Sequence, residues 1–355
     1  MGEPVCVGFT SARGFWRGVG HRIAADNPAS DEVPTLLVRI LFQGGPGIDL
    51  GSMPKRSRHT GVPARVATAG VATVRAGHPE LGDVVDVCVS TQAARHEVRS
   101  ARVHLVTGRY PTGSLYRVRE GAVVVSPELC FLQAASELDV DLLVAYGYEL
   151  CGLYARDGAG TATFANCPAL TTRARISSYL DRLEALRDED GRGLPPGVAR
   201  ARRALARVRD RAASPEEAVS SMVLTYPRRL GGFGLPEERM NERVRLGAPT
   251  SRLFGIDSFV CDISWNGGRN VVEYQGSQHK SRSRASYDMR KGNVLVADGR
   301  TLTQLDAGML KRQDRMEEVA KAAGRGLGIR WREPSAEVRL RQILLRGKLL
   351  KDLGM

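Results

Sequence analysis

The sequence predicts an α/β chain of more than one domain, and three observations carry that reading. Residues 1 to about 125 alternate short Val/Ile/Leu/Tyr runs with Gly/Pro turns, as strands do. From Ser126 the apolar residues recur at helical spacing instead. Further on, two segments rich in β-branched and aromatic residues flank Asn-Gly-Gly-Arg at 266–269, a strong hairpin signal. With 355 residues the chain can bury two or three separate cores.

Taken in order, "TLLVRILF" (35–42), "DVVDVCVS" (83–90), "ARVHLVTG" (101–108) and "SLYRVREGAVVV" (114–125) predict a small mixed α/β or β-rich domain over 1–125. A helical connecting region follows over 126–210. Its Ser-Pro-Glu start and the apolar Leu132, Ala135, Leu138, Leu142 and Leu143 predict two packed helices. The segment "GVARARRALARVRDRAA" reads as a basic helix with Ala204, Leu205 and Val208 on its apolar face. Its arginines suit either a solvated face or a nucleic-acid backbone. Ser214 at an N-cap, Pro215 at the first helical position and Glu217 in the first turn open another helix, expected to stop near Gly231 and Gly232. The last domain runs 211–335, followed over 336–355 by a basic amphipathic helix with apolar Val338, Ile343, Leu344 and Leu345, interrupted at Gly347. It lacks the interfacial aromatics of a membrane-surface helix, so it is expected to dock on the domain.

Fifty-two Lys and Arg against 39 Asp and Glu give a formal charge of +13, which favours a polyanionic partner; arginine-rich coding bias is the bland alternative. No run of 18 apolar residues exists to span a bilayer, and "MGEPVCVGFTSARGFWRGVG" lacks the pattern of a secretory signal, so a cytoplasmic protein with no membrane partner is expected. The six cysteines contain no Cys-x-x-Cys pair and read as small buried hydrophobes.

Two acids and a glutamine interrupt the hairpin strands "SFVCDISW" and "NVVEYQG". If Gly267 and Gly268 form the loop, Asn266 pairs with Arg269 and Asp262 stands directly opposite Glu273. Directly opposed Cβ atoms lie about 4.5 to 5.5 Å apart, and Gln275 projects from the same face. A β-bulge would spoil this register. Trp265 and Tyr274 fall on the opposite face, assigned to core. Two carboxylates so close repel unless a cation separates them. A divalent metal suits their oxygens; arginines such as Arg290 or Arg269, or a proton shared by the pair, are the alternatives.

Asp262, then ten residues, then Glu273-Tyr-Gln275-Gly-Ser-Gln-His279, resembles the PD-(D/E)XK nuclease superfamily. In particular it is similar to the uncharacterised branch related to very-short-patch-repair endonucleases. "SPEEAV" resembles that branch's opening helix, "GGFGLPEERMNERV" its approach to the first strand, and "YDMRKGNVLVADGRTL" its later helix and strand, so the likeness covers about 212–310. The resemblance implies a restriction-endonuclease-like αβββαβ core. It implies Asp262 and Glu273 as ligands of Mg²⁺, with Mn²⁺ as second candidate, and Glu217 as the helix acid completing the site. It leaves Gln275 in the slot usually held by lysine, with an amide that orients water but carries no charge. His279 matches a position suited to proton transfer or phosphate contact, and Lys280 or Lys291 would supply the missing cation. Lys280, Arg282, Arg284, Arg290 and Lys291 form a basic approach for a phosphate backbone.

Residues 100–210 weakly resemble the antitoxin-type domain of the abortive-infection class that precedes such nucleases. The expected function is a Mg²⁺-dependent DNA endonuclease or nickase. Metal-phosphate chemistry does not choose the sugar, so RNA stays open. The rival is a pseudo-nuclease that binds nucleic acid as an antitoxin-like regulator.

Overall fold

The structure is a computed structural model, and it describes residues 5–26, 55–56, 62–63, 68–94, 100–118, 122–157, 163–191, 193–276 and 282–355. The strand expected over 35–42 lies outside the described residues. The described chain is α/β and forms two compact units, one up to Val208 and one over Arg209–Met355. Among the described residues no helix is long and apolar enough to cross a membrane.

The first unit is built on a six-stranded mixed sheet. Its strands are β1 (Val5–Val7), β2 (Lys55–Arg56), β3 (Val85–Val89), β4 (Ala101–Leu105), β5 (Leu115–Arg117) and β6 (Ala122–Val125), in the order β2-β5-β6-β1-β3-β4. Strands β1, β3 and β6 are buried at every position, which is why their sequences are nearly unbroken apolar runs rather than alternating ones. Helix α1 (Phe9–Asp26) packs on β3, and its Trp16 donates its indole N–H to Val125 O at 2.8 Å. A short helix α2 (Thr68–Gly77) follows.

The two packed helices after Ser126 are α3 (Pro127–Glu137), capped by Ser126, and α4 (Val140–Cys151), capped by Asp139. A small hairpin of β7 (Tyr154–Arg156) and β8 (Phe164–Asn166) leads to α5 (Arg173–Glu189) and α6 (Val198–Leu205). Helix α6 stops at Leu205, short of the segment expected to be helical, though Ala204, Leu205 and Val208 are buried as predicted. Neither alternative for its arginines describes Arg200 and Arg202. Arg200 donates to Ala135 O and Leu138 O, and Arg202 bridges Asp181 and Glu184.

In the second unit the elements follow the order helix, strand, short helix, strand, strand, helix, strand. Helix α7 (Pro215–Thr225) has Ser214 as its N-cap and ends before Gly231, because Pro227 holds Tyr226 extended. Next come β9 (Arg239–Arg245), α8 (Ala248–Phe254), β10 (Ser258–Trp265), β11 (Asn270–Gln275), α9 (Arg282–Ala297) and β12 (Thr301–Asp306). The sheet order is β12-β11-β10-β9, with β10 antiparallel to both neighbours and β11 parallel to β12. A parallel pair needs a crossover, and α9 supplies it. Helix α9 covers one face, where Val294 and Leu295 join Phe259, Cys261, Val244 and Val271 in one buried cluster.

Helices α10 (Ala307–Lys311), α11 (Gln313–Gly326) and α12 (Ala336–Asp352) complete the unit. Helix α12 runs through Gly347 without interruption. Its buried face is Gln342, Leu345, Arg346, Leu349 and Leu350, whereas Ile343 and Leu344 are exposed. The six cysteines are all free and buried.

Helix α9 holds the sheet through Leu295, which is fully buried, while its neighbour Val296 is 59% exposed. Leu295→Ala should therefore lower the unfolding free energy by about 3 kcal/mol. Val296→Ala should change it by less than about 0.5 kcal/mol, and denaturant titration of both variants checks the contrast.

Candidate active site

The hairpin keeps the expected register while using a longer loop. Ile263, Ser264 and Trp265 pair with Val272, Val271 and Asn270. The turn between them comprises Asn266, Gly267, Gly268 and Arg269, with Gly268 N–H donating to Trp265 O at 3.0 Å. Asn266 and Gly267, at φ 53° and 64°, are the central pair of that turn, so asparagine shares the left-handed conformation expected of glycines alone. One extra residue on each side lengthens the loop symmetrically, which is why the register survives.

The next rung departs from the expectation of directly opposed carboxylates. The Asp262 side chain turns into the strand pair and its Oδ2 accepts the Tyr274 N–H at 2.8 Å. On the other side of β10, Cys261 pairs with Glu242 and Ile263 with Met240, and between these rungs Asn241 adopts φ 45°. The pleat slips here. Ser264, which pairs with Val271, donates its hydroxyl to Glu242, the partner of Cys261, at 2.9 Å, and Cys261 packs in one cluster with Val271. An odd and an even residue of one strand sharing a face places the break at Asp262 and Ile263.

Glu273 is two residues after Val271 and so faces α9. Lys291 of α9 donates its ammonium to Glu273 Oε2 within a buried ion pair. Neither Arg290 nor Arg269 plays the part expected of them. Arg290 donates to Phe254 O at 3.2 Å, and Arg269 is exposed in the turn. The other oxygen of Glu273, Oε1, is buried without a hydrogen-bond partner. Burial and the charge of Asp262 push the Glu273 carboxyl up to about 8, against the pull of Lys291. Burial works to lower Lys291, but Glu273 and Asp262 carry it above the ordinary lysine range.

Glu217 enters from the first turn of α7. Its Oε2 accepts from Ala213 N–H at 2.9 Å and from Asn241 Nδ2 at 2.7 Å, while Ser214 Oγ accepts from Glu217 N–H at 3.1 Å. Part of this is helix capping, shifted by one residue from the usual box. The asparagine bond is not, since Asn241 sits on β9 and also donates to Arg211 O at 2.9 Å. Burial first, then Asp262, push the Glu217 carboxyl up to about 8. The sequence analysis assigns Asn241 no role; its signal is a lone asparagine at the approach to a strand, where a left-handed residue is tolerated best as Asn or Gly.

Gln275 ends β11, half-buried, paired with Asp306 of β12 and on the face of Glu273 by alternation. Trp265 is buried, with its indole N–H on Pro236 O at 3.0 Å. Tyr274 is only half-buried, and burial with Glu216, Asp306 and Glu217 nearby pushes its phenol up, so it is not a core residue alone. His279 and Lys280 lie outside the described residues, as do the side chains of Arg282 and Arg284.

Around Asp262, then, stand two buried acids: Glu273 is answered by Lys291, and Glu217 is held by Asn241 and the Ala213 N–H. Among the described residues no group of three or more His, Cys, Asp or Glu is placed to hold a metal ion. What the site offers a hard cation is oxygen donors, with the unpartnered Glu273 Oε1 foremost. A wide cleft of about 690 Å³ lies elsewhere. It opens at the turn end of the sheet, lined by Arg245, Arg269, Asp298 and Arg300, and its Asn270 is three residues along β11 from Glu273. Comparison of the chain with protein-family models, with curated proteins and with solved structures gives no match.

Two acids with folded pKa near 8 and ordinary values near 4.5 make the native state bind more protons than the unfolded chain between those limits. Stability therefore falls as pH rises from about 4.5 to about 8. The thermal midpoint should drop across that window. Glu217→Gln, which keeps an acceptor for Asn241, should flatten the drop; an unchanged slope in the variant would remove Glu217 as a cause.

Proposed function

We propose that the second unit is a restriction-endonuclease-like nuclease that hydrolyses phosphodiester bonds of DNA with Mg²⁺. The observation that carries the reading is Glu273, buried beside Asp262 with one oxygen unpartnered and the other on Lys291. A protein gains nothing in stability from an excess of buried negative charge, and perturbed carboxyls of this kind concentrate at functional sites. The succession helix, strand, short helix, strand, strand, helix, strand around the pair supports this reading, with α8 as an addition to the αβββαβ order that the sequence motifs imply.

Asp262 and Glu273 would hold the metal, which when bound supplies a polarised water and neutralises charge on the phosphodiester. Gln275, on the face of Glu273, orients that water through its amide. Lys291 brings from α9 the positive charge that Gln275 lacks in the lysine slot. It does so already desolvated and oriented by its ion pair with Glu273. Glu217, raised to about 8 as Glu273 is and held by Asn241, leaves the pair to share protons near neutral pH and to ionise fully only above about 8. The formal charge of +13 favours a polyanionic substrate.

A second reading is favoured by one observation: Lys291 already neutralises Glu273, and Gln275 has no charge. On that reading the unit is a pseudo-nuclease that binds nucleic acid without cleaving it, as an antitoxin-like regulator.

Plasmid nicking and oligonucleotide cleavage with Mg²⁺, Mn²⁺ or EDTA separate the two. Metal-dependent cleavage should fall to background in Asp262→Asn and Glu273→Gln; Asp262→Asn retains an oxygen for the Tyr274 N–H, so the fold survives. Lys291→Met should cost about 10²-fold in rate. Binding without cleavage under every condition would establish the pseudo-nuclease, and cleavage confined to RNA would move the substrate without moving the chemistry. Independently, millimolar Mg²⁺ should raise the thermal midpoint at pH 8 and do so much less at pH 5, where the acids are protonated.

A further inference from the structure

Tyr287 lies on α9 one turn before Lys291, so the two side chains share a helix face. Its ring meets Phe259 edge-on, with centroids 6.2 Å apart and an interplanar angle of 74°. Phe259 and Cys261 both face α9 from β10, and burial first, then the Glu273 charge, push the Cys261 thiol up. Two tracks therefore run side by side. Tyr287 stands over Phe259, and Lys291 stands over Glu273. Tyr287 is separated from Lys291 by roughly the 5.4 Å of one helical turn, and Phe259 from Cys261 by about 7 Å of strand.

Packing accounts for Phe259, which is 4% exposed, but not for Tyr287, which is 55% exposed. Nor is Tyr287 the centre of an apolar docking face along its helix: Met289, the exposed large apolar residue nearest in sequence, points to the far side of the helix. What remains is a ring steadied on one edge with open surface, about one nucleotide step from the acids.

We propose that Tyr287 is a base-stacking platform that makes single-stranded or locally unpaired nucleic acid the preferred substrate, an inference that rests on the nuclease reading above. Every base has a π-face, so such stacking is tolerant of sequence, whereas a closed duplex keeps its base faces inside. A base seated on Tyr287 would set the neighbouring phosphate toward Lys291 and Glu273.

The test measures binding of labelled oligo(dT) and of a duplex of equal length by fluorescence anisotropy in EDTA, so that affinity is read without hydrolysis. Tyr287→Ala should weaken oligo(dT) binding about tenfold and leave duplex binding nearly unchanged, while Tyr287→Phe should bind as wild type does. If Tyr287→Ala folds poorly by circular dichroism, Tyr287→Leu replaces it with a residue of similar bulk and no π-face. Unchanged oligo(dT) affinity, or equal losses on single strand and duplex, would overturn the proposal even if the wild type cleaves DNA with Mg²⁺. Tyr287-dependent binding by a protein that never cleaves would support the platform while defeating the hydrolytic reading.

Discussion

The slip in the pleat of β10 is the constraint on which the site depends. In a regular strand Asp262 would project from one face and its backbone would continue the ladder. Instead its carboxylate takes the Tyr274 N–H, and Asn241 across the sheet turns left-handed. A carboxylate drawn into the plane of the sheet feels acids on both sides. It raises Glu273, which faces α9, and Glu217, which arrives on α7. One backbone irregularity thus couples elements that a flat sheet would keep apart.

The same chain shows how buried acids are handled when no such site is being built. Glu149 is deeply buried, yet the Arg17 guanidinium grips both its oxygens at 2.7 Å and, outweighing burial, holds its carboxyl below the ordinary range. Asp86 is buried as well; burial works to raise it, but His104 at 2.8 Å and Arg102 lower it. In a protein this rich in arginine, leaving Glu217 and Glu273 raised is a matter of placement rather than supply. Removing a partner from a buried charge is costly, so an unbalanced cluster persists only where the surrounding fold overdetermines it.

Lys291 gives the balance its particular form. It arrives from a helix rather than from β11, where Gln275 stands. Anchoring it on α9 ties the charge of the site to the packing of Val294 and Leu295 against the sheet. The helix that closes the core is therefore the one that delivers the cation and, one turn earlier, an exposed aromatic ring.

Local chemistry made much of this visible in advance. Ser126 and Ser214 cap helices as their side chains require, and the Asn-Gly-Gly-Arg turn sets the register that joins Ile263 to Val272. The end of α7 was misplaced because Pro227, not the glycines, stops it, and α12 ran through Gly347 because helical glycine costs only about 1 kcal/mol. Those are short-range effects that residue types carry with them. The pleat slip, the Asn241 contact to Glu217 and the Lys291 contact to Glu273 are different in kind, and the two contacts join residues 24 and 18 positions apart in sequence. Sequence by itself determined the helix starts at Ser126 and Ser214, the hairpin register and which acids interrupt its strands. Only the tertiary structure decided that Asp262 stands between buried Glu217 and Glu273 and that Lys291 answers Glu273, because burial and long-range charge exist only once the elements have packed.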